Sequence, residues 1–408
     1  MSRMKAWALF GALALAQPVM AATSDHWVAS WGSAQQIPEE HNLLPQADMQ
    51  DATLRQVVHL SVGGSRLRIR FSNAFGTQAL IIDAAHVARS ADKASAKIVP
   101  GTDRVLTFDG RPWISIPPGA DYLSDPVTLD APALSSLTVS LHLPQAPSGQ
   151  TGHPGSRATS YYVHGDHTAD PDLANPGKID HWYQLTGVEI IAPPTAATIV
   201  AFGDSITDGH GATTNGDDRW PDLLAARLQD GIRTKNMAVV NVGIGGNHLL
   251  TGGLGPNALA RLDRDVARPG VKAMIILEAI NDLGKLSRED VRTPQQHAQL
   301  VADLIAAYKQ IVARAHGQGI KVIGCTITPY VGSDYYHPDA ASEADRQALN
   351  AWIRSGGAFD AVVDFDKAIR DPAHPERMIA AFDSGDHLHP SAAGYKVMAN
   401  AIPLEVLR

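Results

Sequence analysis

A serine flanked by acidic residues and glycines, Gly203-Asp204-Ser205-Ile206-Thr207-Asp208-Gly209, follows directly on an apolar run over residues 198–202. A hydroxyl is a poor nucleophile at neutral pH unless a neighbouring base takes its proton. The base works best when a carboxylate fixes its tautomer and steadies its positive form. Far downstream, Asp386 and His389 supply those two parts. Their spacing of three puts both on one side of a turn, so that one imidazole can reach Asp386 and Ser205 together. The apolar run reads as a short buried strand, and Gly203 lets the chain turn sharply at its carboxyl end, the edge where open parallel sheets hold their ligands.

Attack by a serine on a carbonyl makes an oxyanion, which donors must already face. Gly246 and Asn281 each stand where an apolar strand ends, after residues 238–242 and 273–279. Taken singly, the first is a loop glycine and the second a helix cap. Beside Ser205, Asp386 and His389 they form a donor trio: the Ser205 N–H, the Gly246 N–H and the Asn281 side chain.

These residues resemble the SGNH hydrolases, the GDSL esterase and lipase family. Gly203-Asp204-Ser205 is similar to block I, and Asn241-Val242-Gly243-Ile244-Gly245-Gly246-Asn247 to block II. Ala279-Ile280-Asn281-Asp282 is similar to block III, and Asp386-His387-Leu388-His389 to block V. The blocks keep family order over residues 196–408. The resemblance implies a flavodoxin-like three-layer domain, His389 as the base, and an acyl-enzyme esterase without a cofactor. It also implies a small acyl group, with acetylated glycans or simple carboxylic esters as substrates. Ala279 stands where the family has glycine, and an alanine there leads us to expect negative φ.

Other candidates carry less. His387 and His389 form a His-x-His pair that could suggest zinc, but no third ligand with metal spacing accompanies it, so no metal site is assigned. Cys325, the only cysteine, lies in an apolar strand over 321–327 as a small buried hydrophobe. Tyr330 and Ser333 belong to a polar, aromatic loop after that strand, expected to line the site and set substrate selectivity. Arg219-Trp220 reads as a helix start, and Asp208 and Asp282 as loop braces.

The elements that must position these groups fall into two kinds. Over residues 27–191 the pattern has period two: Leu67, Ile69 and Phe71 alternate with arginines, and Leu137, Val139, Leu141 and Leu143 with Thr138, Ser140 and His142. Short alternating runs broken by glycine and proline predict an all-β sandwich, jelly-roll-like, with one wet face per sheet. After a proline-bearing linker at 192–195, strands at 199–202, 239–242, 273–277, 322–327 and 361–365 alternate with helical stretches. That predicts an α/β three-layer domain with a parallel sheet. The clearest helix runs from Pro294 to Gly317 under a Thr293 cap. A last helix follows Ser391. The domain reading is therefore residues 1–22 as a signal peptide, 23–191 as the β-sandwich and 196–408 as the hydrolase domain. The stiff, short linker leads us to expect one fixed packing, with the sandwich walling the pocket.

Arg3 and Lys5 precede an apolar run over 6–16, and small residues at 19–22 offer cleavage sites, which predicts an exported protein, periplasmic or secreted. The run is too short for a mature membrane span, and no later stretch is long and apolar enough. The net charge of -8, which becomes -10 once Arg3 and Lys5 leave, argues against nucleic acid. Phosphate and dinucleotide loops are absent. The expected partner is a small-molecule or glycan ester; the oligomeric state is not encoded legibly. Two further readings use the same residues: an acyltransferase in which an alcohol outcompetes water, and a glycan-binding protein with a vestigial hydrolase domain.

Overall fold

The computed structural model describes residues 25–290 and 292–408. The expected signal over 1–22 lies outside the described residues. Two antiparallel sheets enclose one apolar core in the N-terminal region. One sheet is ordered Trp27–Gly32, Leu185–Ile191, Gly64–Ser72, with Asp121–Leu123 and Val127–Ala131 both on the last strand. The other is ordered Gly177–Ile179, Ser160–His164, Ala52–His59, Ser136–Leu143, Ala84–Arg89, Arg104–Val105. Leu67, Ile69 and Phe71 from the first meet Leu137, Val139 and Leu141 from the second, because strand pleating sends alternate side chains to the same face.

The expectation of a wet face on each sheet fails at Ser136–Leu143. Thr138, Ser140 and His142 are buried along with their apolar neighbours. Arg55, on the adjacent strand, donates to Ser140 Oγ at 2.9 Å and to the carbonyls of Ala96 at 2.9 Å and Asp170 at 2.8 Å. It thereby ties two loops down over the polar face, with Val57, Ala96, Tyr161 and Leu173 as a small apolar cluster beneath.

The C-terminal region is built on a parallel sheet ordered Met237–Gly243, Ala197–Gly203, Val271–Leu277, Lys321–Cys325, Ala361–Val363. In chain order this is 2-1-3-4-5, the flavodoxin-like winding, and its switch point lies at the carboxyl end of Ala197–Gly203. The Pro294–Gly317 helix carries a full capping box, in which Thr293 and Gln296 each accept the other's backbone N–H. Two strand ends fall short of expectation. Cys325 closes its strand but stays buried, and Phe365 opens a short helix because Asp364 caps it by accepting the Lys367 N–H.

The Met237–Gly243 strand would leave an open sheet edge, a liability in solution. The β-sandwich covers it. Ser61 Oγ accepts the Val239 N–H at 3.0 Å, while Val28, Val62, Ala196 and Ala238 form an apolar seam. Buried Arg268 crosses the seam, donating to Thr186 O at 2.7 Å and Ser33 O at 3.0 Å. Each of these bonds satisfies a polar group that would otherwise be costly to bury.

Candidate active site

Ser205 opens the one-turn helix Ser205–Asp208 directly after the Ala197–Gly203 strand, and Asp204 caps that turn by accepting the Ile206 N–H at 2.9 Å. Gly203 is required by close approach: a Cβ there would stand 2.2 Å from Thr207 Oγ1 and 2.4 Å from Leu277 O. The chain brings three distant residues into one relay. Ser205 Oγ lies 2.8 Å from His389 Nε2, and His389 Nδ1 lies 2.6 Å from Asp386 Oδ2. The other Asp386 oxygen accepts the backbone N–H groups of His389 at 2.8 Å and Leu388 at 3.0 Å. Burial raises the Asp386 carboxyl, but the hydrogen bonds from His389 outweigh it and hold the group well below the usual carboxylate range.

Gly246 and Asn281 reach the same edge from the two strands flanking Ala197–Gly203. Gly246 has φ +69, a left-handed conformation in which glycine is unstrained. Among the described residues neither the Ser205 nor the Gly246 N–H has an acceptor. Asn281 donates from Nδ2 to Asn247 O at 2.6 Å and accepts from the Tyr336 hydroxyl at 2.6 Å, which leaves its second Nδ2 hydrogen free. It sits one residue inside the Ile280–Ser287 helix and does not cap it. The N-cap is Ala279, whose φ of +94 overturns the negative value expected from an alanine. The turn from strand to helix demands a left-handed residue whatever side chain it carries. Ala279 therefore holds a conformation that glycine adopts freely and alanine does not.

A cleft of about 870 Å³ opens over Ser205, lined among others by Gly246, Leu254, Tyr335, Tyr336 and Leu388. Ser333 lines it too, with its Oγ unpartnered among the described residues. Tyr330 does not. It is fully buried, its ring 6.3 Å from that of Tyr336, so the loop turns its first tyrosine into the core and presents the next two. Trp220 is likewise core, and Arg219 pairs with Asp222 at 2.6 Å. No described residue before Ala192 lines the cleft, so the β-sandwich does not wall it.

Asp208 and Asp282 brace the loops. Asp282 accepts the Leu249 and Leu250 N–H groups at 2.7 and 3.0 Å, and Asp208 Oδ2 accepts that of Gly245 at 3.1 Å. His387 turns away to Asp383, 2.6 Å distant. The ligand atoms that do converge, within 4.8 Å, belong to His210, Asp386 and His389. Both His389 nitrogens there are already engaged in the relay. His210, whose ring centre lies 4.1 Å from that of His389, had no signal in the sequence. Partial desolvation, then the neighbouring His389 and Arg157, push it down to about 4, so it stays neutral near pH 7.

Residues 201–397 match the family described as GDSL-like Lipase/Acylhydrolase. No curated protein sequence is significantly similar to the chain. Among solved structures, the chain is similar to a GDSL-like lipase from Bacteroides thetaiotaomicron, with 19% identity over 52% of this chain and 87% of that one, TM-score 0.36. It is also similar to the acetyl xylan esterase AlAXEase, with 17% identity over 50% of this chain and 96% of that one, TM-score 0.38. A catalytic variant of an acetylxylan esterase from Geobacillus stearothermophilus shows 20% identity over 52% of this chain and 94% of that one, TM-score 0.38.

Proposed function

Since the chain belongs, through residues 201–397, to the GDSL-like lipase/acylhydrolase family, we propose that it is an exported serine esterase that works through an acyl-enzyme intermediate. It is a carboxylic ester hydrolase by that membership. The observation that carries the mechanism is the unbroken relay from Ser205 Oγ through His389 to Asp386, beside two N–H groups that have no acceptor among the described residues.

Ser205 Oγ attacks the ester carbonyl as its proton passes to His389 Nε2. Asp386, held ionised, steadies the imidazolium and fixes its orientation. The oxyanion meets the Ser205 N–H, the Gly246 N–H and the free Asn281 Nδ2 hydrogen, donors that need no reorganisation when charge develops. Collapse expels the alcohol, which takes the proton from His389. Water then attacks the acyl-enzyme with His389 again as base, and the acid leaves Ser205 free.

A short acyl group, acetyl above all, is the proposed substrate feature, on a simple ester or on a glycan. Leu254 supports it: its Cδ1 would lie 2.5 Å from a Cβ on Gly246, so it narrows the space beside the oxyanion donors. Ser333 and His248, which line the cleft, are the proposed polar contacts to the alcohol part. Export rests on Arg3, Lys5 and the apolar run after them.

The test is a panel of acetyl, butyryl, octanoyl and acetylated-oligosaccharide esters, run with the wild type and with Ser205→Ala. Turnover highest on acetyl esters, and lowered about 10⁴-fold or more by Ser205→Ala, is the expected result. Substantial activity in a folded Ser205→Ala variant sinks the assignment. A preference for octanoyl esters sinks only the short-acyl part.

A further inference from the structure

No described residue of the β-sandwich lines the cleft, yet one of its side chains reaches underneath the nucleophile. His153, in the short strand Gly152–His153, lies with Nε2 2.8 Å from Asp208 Oδ1, and both side chains are almost wholly buried, 3% and 4% exposed. Asp208 ends the helical turn that Ser205 begins. Its second oxygen accepts the Gly245 N–H, and the next amide along is that of Gly246.

The histidine itself is held firmly. Nδ1 lies 2.9 Å from the Ala34 carbonyl, which can only accept, so Nδ1 carries a hydrogen. Its ring stacks on Trp182 with centres 5.6 Å apart. The following backbone presses on the same carboxylate: a Cβ on Gly155 would stand 1.9 Å from Asp208 Oδ2. Two residues on, Arg157 Nη2 lies 3.2 Å from Nδ1 of His210, the ring beside His389. The 152–157 segment thus abuts the site at two points, both behind the groups that face the cleft.

We propose that His153 is a positioning residue for the oxyanion donors, acting from the β-sandwich through Asp208 and the Gly245 amide on the Gly246 N–H. The inference rests on the oxyanion reading given above. Misplacing a catalytic donor by about an ångström costs on the order of 10²-fold in rate, even when the disturbance lies outside the contact with substrate. A donor that matters only in the transition state shows in kcat and leaves KM alone. A residue that merely joins the two domains would lower stability and leave kcat of the folded enzyme untouched.

The test uses the full chain and an acetyl ester, with folding checked by circular dichroism. His153→Ala should lower kcat roughly 10- to 10²-fold with KM within about twofold of the wild type. His153→Gln, whose amide can still hydrogen-bond to Asp208, should recover most of that loss. Wild-type kcat in a folded His153→Ala enzyme would overturn the proposal, and so would a His153→Gln variant as slow as His153→Ala. If His153→Ala does not fold, Gly155→Ala decides. It removes no hydrogen-bonding group but displaces the Asp208 carboxyl, so a lower kcat at unchanged KM supports the role and an unchanged kcat overturns it. Ser205→Ala separates the two questions. Activity that still depends on Ser205 while His153 variants run at full speed removes this inference and leaves the esterase assignment standing.

Discussion

The Tyr336 hydroxyl donates to Asn281 Oδ1 at 2.6 Å, and that bond decides which end of the amide is left to donate toward substrate. Burial pushes the Tyr336 phenol above its ordinary range, so it remains a donor throughout the working pH. With Oδ1 occupied, Nδ2 has one hydrogen on Asn247 O and one available to an oxyanion. Asn281→Ala should therefore lower kcat by about 10² to 10³-fold, with little change in KM. Tyr336→Phe, which only frees the amide to turn, should cost roughly fivefold, in line with a net hydrogen-bond worth of about 1 kcal/mol. Steady-state kinetics check both. A rise in KM alone on losing Asn281 would make it a binding residue.

Ala279 is fully buried with φ +94, so a methyl group is being held where only glycine is comfortable. Left-handed backbone costs a non-glycine residue on the order of 1 to 3 kcal/mol. Glycine regains part of that cost as chain entropy lost on folding, about 0.4 to 1 kcal/mol. Ala279→Gly should thus stabilise the protein by roughly 1 kcal/mol and leave kcat near the wild-type value. Thermal unfolding measures it, and a fall in Tm would show that the buried methyl packs better than the strain suggests.

Three carboxyl groups lie buried behind the nucleophile. Burial raises Asp204 to about 7, with Asp282 adding to the effect and the Ile206 N–H opposing it. Burial likewise raises Glu278 and Asp282. Between the unfolded value, about 3.9, and 7, the folded protein keeps a proton on Asp204 that the unfolded chain has released. Stability from this group therefore falls as pH rises through that window, by at most about 1.4 kcal/mol per pH unit. His210, held down to about 4, works in the opposite direction below its ordinary value. The quantity to read is therefore the difference between the wild type and Asp204→Asn. The variant keeps an oxygen for the Ile206 N–H and should gain stability relative to the wild type as pH goes from 5 to 8 in urea unfolding. Parallel curves would refute the protonated Asp204.

Removing residues 25–191 would bare the Met237–Gly243 edge, leave the Arg268 guanidinium without its Thr186 and Ser33 acceptors, and expose Ala196 and Ala238. A protein starting at Thr195 should lose most small-ester activity and aggregate, although it keeps every residue lining the cleft. Full activity in a soluble truncation would show that the sandwich serves only distant contacts.

Whatever depends on near neighbours along the chain was legible in the residues alone. The strand, glycine and serine of the nucleophile turn were legible, as were the alternation that gives a parallel sheet and the Thr293 cap on Pro294–Gly317. So was the convergence of Ser205, Gly246 and Asn281 on one edge, because each follows a strand of the same sheet. Tertiary structure decided the rest. The polar side of Ser136–Leu143 is dry because Arg55 draws loops from far along the chain across it. Tyr330 is core, with Tyr335 and Tyr336 at the cleft, because a loop's orientation is set by what it packs on and its residue types do not reveal that. Ala279 is left-handed because the turn from strand to helix imposes it. His153 meets Asp208 across 55 residues and a domain seam. Local periodicity records which face of an element is buried; which distant element buries it depends on the packing of the whole chain.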